Sequence, residues 1–111
     1  MKKVDKKYLP YSKKYLSRYF KKNCSFYYNF DVSMSQLYAD LLERYYKISK
    51  NIVDYEDDEE QKSHKKIIKR TIKNLRNYKK YDWTNKETYH YLDDAIKSMK
   101  EIADIYTALW Y

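Results

Sequence analysis

The chain contains no glycine, and Pro10 is its only proline. Tight hairpin turns need positive φ at one or two positions, and glycine is the residue that adopts those angles without steric cost. Over 111 residues, its absence argues against a sheet of short hairpins and for long helices joined by links with ordinary backbone angles. It also removes whole classes of chemistry. A phosphate-cradling loop, a dinucleotide-binding turn and a strand-to-helix nucleophile elbow all require glycine.

Apolar residues recur at helical spacing in four places. After Pro10, which suits a first helical turn, Tyr11, Tyr15 and Tyr19 fall on one line with Leu16 and Phe20 beside them, which predicts a short helix over 11–22. Ser33 and Gln36 form a capping-box pattern. It stands before Met34, Tyr38, Leu41, Tyr45, Ile48, Ile52 and Tyr55, a second helix ending near 51–55. A third is predicted over 57–81, with His64, Ile67, Ile68, Thr71, Ile72, Leu75 and Tyr78 as its apolar stripe. Thr84 and Glu87 make a second capping box. The helix behind it repeats Tyr89, Leu92, Ile96, Met99, Ala103, Tyr106 and Trp110 in steps of three and four, flanked by Ala95, Ile102 and Leu109, and this face is expected to carry the core.

The expectation is an all-α protein: one domain over 1–111, an antiparallel helical bundle of three long helices plus a shorter N-terminal one, with 1–9 a mobile basic arm. The mean hydropathy of −1.05 would suit a disordered chain, but an aromatic content of 19% does not. Sixteen tyrosines supply apolar bodies for a core while their hydroxyls reach water. No apolar run approaches the ~20 residues of a membrane span, and the lysine-rich N-terminus lacks the apolar stretch of a secretory signal. A single cysteine, Cys24, cannot close an internal disulfide. These features predict a cytoplasmic protein that does not engage a membrane. Abundant Lys, Tyr, Ile, Asp and Asn without glycine match A- and T-rich codons, pointing to a low-GC bacterium or its phages and plasmids.

Charge is the most informative functional signal. The first 22 residues hold nine cations against Asp5 alone, which accounts for the formal charge of +8 of the whole chain. The run from Asp54 to Glu60 is almost all carboxylate, and the stretch from Lys62 to Lys80 then holds nine cations and no acid. Lys62, Lys66, Lys69, Lys73, Arg76 and Lys80 follow a 4-3-4-3-4 spacing that lines them up along a helix, over roughly 27 Å at the usual rise. Acids at the N-terminus and cations at the C-terminus of that helix also complement its dipole. Yet nine uncompensated cations repel one another, and a nearby polyanion relieves that repulsion. Lys13, Lys14, Arg18 and Lys21, beside Tyr11 and Tyr15, extend the basic surface with rings able to stack on bases.

Catalytic and metal signals are weak. Glu87 and His90 have the i,i+3 spacing of di-iron bundles, but the second such motif is missing, and Glu87 is explained by the capping box. His64 falls on the apolar side of its helix, where a partly buried histidine with a hydrogen-bond partner is expected. No cofactor or metal is predicted. The expected function is non-enzymatic: binding of nucleic acid or a nucleoprotein through the Lys/Arg face, as a phage or plasmid regulatory or anti-defence protein. The alternative is an inhibitor or immunity factor, anti-CRISPR-like or bacteriocin-immunity-like, acting on a host protein. The heptad-like helices would also serve a homodimer.

Overall fold

The computed structural model describes residues 29–50 and 59–109. The expected helix over 11–22, the arm over 1–9, most of the acidic run, Tyr55 and Trp110 lie outside those residues. Within them, three α-helices dominate: α1 (Phe30–Ser49), α2 (Glu59–Asn77) and α3 (Tyr89–Asp104), with single 3₁₀ turns at Tyr78–Lys80, Lys86–Thr88 and Tyr106–Ala108. No strand occurs among the described residues, and no helix among them is long and apolar enough to cross a membrane. The all-α expectation is met.

α2 is the central element. It packs on both α1 and α3, which barely touch each other, so the three helices form a sheet-like layer. Contacts pair rising numbers in α1 with falling numbers in α2. Tyr78 reaches Asp31, Gln36 donates to the carbonyls of Leu75 and Arg76, and Lys69 lies over Tyr46. The same holds across α2 and α3, where Lys80 meets Tyr91, Asn74 bonds Ser98 and Arg70 pairs with Glu101. The core is Ile68, Leu75 and Tyr78 of the α2 region, set against Ala39 and Leu42 on one side and Ala95 and Ile102 on the other. Each fully buried Ile or Leu contributes roughly 1.5–3 kcal/mol. Two hydroxyls join it with partners: Thr71 donates to the Ile67 carbonyl at 2.7 Å, and Ser98 accepts from the Asn74 amide at 2.8 Å.

The α2 stripe read from sequence is the one that is buried. The α3 stripe is not. Ala95, Ser98 and Ile102 face the core, whereas Ile96 is 46% exposed and Met99 38%. The buried face is thus offset by one residue, about 100° around the helix. Small Ala95 and Ser98 let α3 approach α2 closely, and the bulkier Ile96 and Met99 are left on its flank. Tyr89 and Tyr106, expected in the core, are exposed.

Both capping boxes are also replaced. α1 starts at Phe30, so Ser33 lies inside it and Gln36 is free to bind the last turn of α2. Before α3, Asn85 rather than Thr84 caps the chain, its side chain accepting from Glu87 N–H at 3.0 Å.

Tyr78 fastens the first turn of α1 to the end of α2, donating to Asp31 Oδ2 at 2.5 Å. Burial first, and then that hydrogen bond, push its phenol up to about 12 from the ordinary 10.0. A raised pKa of this kind stabilises fully below pH 10 and is lost as pH rises through about 12. Denaturant melts on either side of that window should show wild type losing stability from this group as pH rises, a loss absent from Tyr78→Phe. Equal pH slopes for the two proteins would show that the contact does not hold the phenol neutral.

Candidate nucleic-acid interface

The core side of α2 is Ile68, Thr71 and Leu75, so its opposite face looks outward. Lys66, Lys69 and Lys73 are exposed on that face, with Lys62 at one end and exposed Lys80 at the other. Lys62 Nζ lies 3.5 Å from Glu59. None of the ion pairs among the described residues involves Lys66, Lys69, Lys73 or Lys80. Two of these lysines lie over aromatic rings instead, Lys69 5.5 Å from the centre of Tyr46 and Lys80 5.6 Å from that of Tyr91. Such contacts orient an ammonium without neutralising it.

Arg76 behaves differently from the other cations of the line. Its guanidinium bonds Asp40 at 2.9 Å and also pairs with Glu43, both on α1. Burial pulls its pKa down, but the hydrogen bonds to Asp40 and Glu43 outweigh that and leave it raised. Glu43 is held below the usual carboxylate range, first by its bond to Lys47 and then by Arg76. Arg76 is therefore a brace between α1 and α2, as exposed Arg70 is between α2 and α3 through Glu101. Of the predicted line, Lys66, Lys69, Lys73 and Lys80 stand outside every ion pair among the described residues. Lys13, Lys14, Arg18, Lys21, Tyr11 and Tyr15 lie outside the described residues.

At the Lys80 end, the structure adds a residue that spacing did not single out. Trp83 is 75% exposed, in a turn fixed on both sides. Asp82 accepts from the Thr84 N–H and hydroxyl at 3.0 and 2.7 Å, and Thr88 Oγ1 accepts from Asp82 N–H at 2.9 Å. Those Thr84 bonds lower the Asp82 pKa. Tyr89 OH donates to the Trp83 carbonyl at 2.8 Å. A tryptophan among the turn formers Asp82, Thr84 and Asn85 has no helical stripe to join, and that was the available signal.

No protein-family model, curated protein or solved structure matches this chain.

The histidines take structural places. His64 is largely covered, 4.0 Å from Glu60, and His90 Nδ1 donates to the Glu87 carbonyl at 3.0 Å. No group of three His, Cys, Asp or Glu residues placed to hold a metal occurs among the described residues. On the side of the layer away from the lysines, α1 and α3 leave an apolar groove of about 470 Å³. Leu75 and Tyr78 line it together with Met34, Tyr38, Ile96 and Met99.

Proposed function

We propose that this chain binds the phosphate backbone of nucleic acid, free or within a nucleoprotein, through the lysine line of α2, and that it does so without catalysis. One observation carries the reading: Lys62, Lys66, Lys69 and Lys73 share the outward face of the central helix, Lys80 follows in the 3₁₀ turn behind it, and all but Lys62 have no carboxylate partner among the described residues. Point charges on flexible stems suit phosphates and carry no base code, so affinity without strong sequence preference is expected. The predicted N-terminal helix, as a further member of an antiparallel bundle, would add Lys13, Lys14, Arg18 and Lys21 to the same field. Cytoplasmic placement and a regulatory or anti-defence role in a phage or plasmid belong to the same proposal, supported by composition.

Binding to generic duplex DNA should weaken steeply with salt. Five neutralised phosphates give a slope of about −4.5 in log affinity against log salt, or about 500-fold between 50 and 200 mM. Removing residues 1–22 should flatten an intact-chain slope that is steeper still. A slope near zero would show that phosphates are not the ligand. The second reading, an inhibitor of a host protein, is favoured by the groove between α1 and α3, which suits the apolar face of a partner helix.

A further inference from the structure

We infer that the turn over 81–88 is a base-stacking platform for single-stranded nucleic acid, with Trp83 as the stacking ring and Lys80 as the adjoining phosphate contact. The inference rests on the phosphate-binding reading and adds a strand preference to it. An exposed apolar side chain on its own is unremarkable. What sets Trp83 apart is that its ring is exposed while its backbone is fixed. The flanking Asp82, Thr84, Asn85 and Thr88 are tied to one another, and the Trp83 carbonyl is held by Tyr89. The backbone that carries the ring is thus already ordered before a ligand arrives, which removes part of the cost of binding.

The ground beneath the turn is aromatic as well. Tyr81 lies between Tyr78 and Tyr89, with ring centres 5.8 and 5.9 Å away. That contact sequence supports the turn from the core outward and explains why the loop holds its shape without glycine. Exposed Lys79, Lys80 and Lys86 surround Trp83 in sequence. Two acids lie nearby, Asp82, which its Thr84 bonds keep ionised, and exposed Glu87, and they offset part of that positive charge. Lys80 is also the last lysine of the α2 line. Lys80 stands roughly 21 Å beyond Lys66 at helical rise, and Trp83 follows it three residues further along the chain.

The ligand is a single strand because the base faces of a duplex are already covered by their neighbours, while an unpaired strand leaves them open to an aromatic side chain. Stacking tolerates any base, in keeping with a surface that carries no base code.

Trp83 and Trp110 are the only tryptophans, so Trp110→Phe leaves Trp83 as the sole indole reporter. In that background, oligothymidylate of roughly 16 nucleotides should quench the fluorescence, and a duplex of the same length should not. Trp83→Ala should weaken single-strand affinity roughly 5- to 150-fold with duplex affinity and melting temperature unchanged, and Trp83→Phe should restore part of the loss. Duplex and single strand that both bind, with Trp83 unquenched or Trp83→Ala unaffected, overturn the platform and leave the lysine reading standing. Failure of wild type to bind either form overturns both.

Discussion

Ile102→Asp should unfold the protein or cost at least about 4 kcal/mol, whereas Ile96→Asp, six residues earlier on the same helix, should cost about 1 kcal/mol or less. Ile102 is 1% exposed and packs into the core that α2 shares with α3. A carboxylate there would be desolvated with no cation placed to receive it. Ile96 stands on the flank of α3, nearly half open to water, where an aspartate side chain can keep its hydration. Helical circular dichroism followed through a thermal melt separates the two variants. Equal destabilisation would show that the flank of α3 is covered in solution, by another part of the chain or by a second copy. The apolar periodicity of α3 taken alone predicts the opposite order, which makes the pair a test of the packing itself.

The second large effect concerns the lysine line. Reversing Lys66, Lys69 and Lys73 to glutamate should reduce duplex affinity a few hundredfold at about 0.1 M salt, since each lost phosphate contact forfeits nearly a decade of counterion release under those conditions. The melt should hardly change, because all three side chains are exposed on the outward face. Arg76→Glu should do the reverse. It would bring a third carboxylate up to Asp40 and Glu43, break the brace between α1 and α2, and lower stability. Its direct effect on phosphate binding should be small. Titration of duplex into each folded variant, with its melting temperature measured alongside, reads both quantities. If the triple variant binds as wild type does, the lysines form a solvated face and the groove between α1 and α3 becomes the surface to pursue.

The absence of glycine and the 3.6-residue periodicity determined the helices, and the run from Lys62 to Lys80 determined that one helix has an apolar side and a cationic side. Both are local properties, set by the backbone angles a residue tolerates and by the direction its side chain leaves the axis. They were enough to place Ile68, Thr71, Leu75 and Tyr78 inward and Lys66, Lys69 and Lys73 outward. Periodicity does not say which neighbour lies against a given face, nor how close it comes. On α3 the contact went to small Ala95 and Ser98, because helices draw together where side chains are short, and larger Ile96 and Met99 were displaced to the flank. Arg76 shares the spacing of the lysines, yet its long planar fork reaches the carboxylates of α1, which stand 36 and 33 residues away in sequence. Gln36, set by its pattern to cap its own helix, instead bonds the last turn of α2. The exposure of Trp83 follows from a loop whose hydrogen bonds close on themselves and leave the indole nothing to pack against. For α3, Arg76 and Gln36 the deciding partner is distant in sequence, so only the folded chain could supply it.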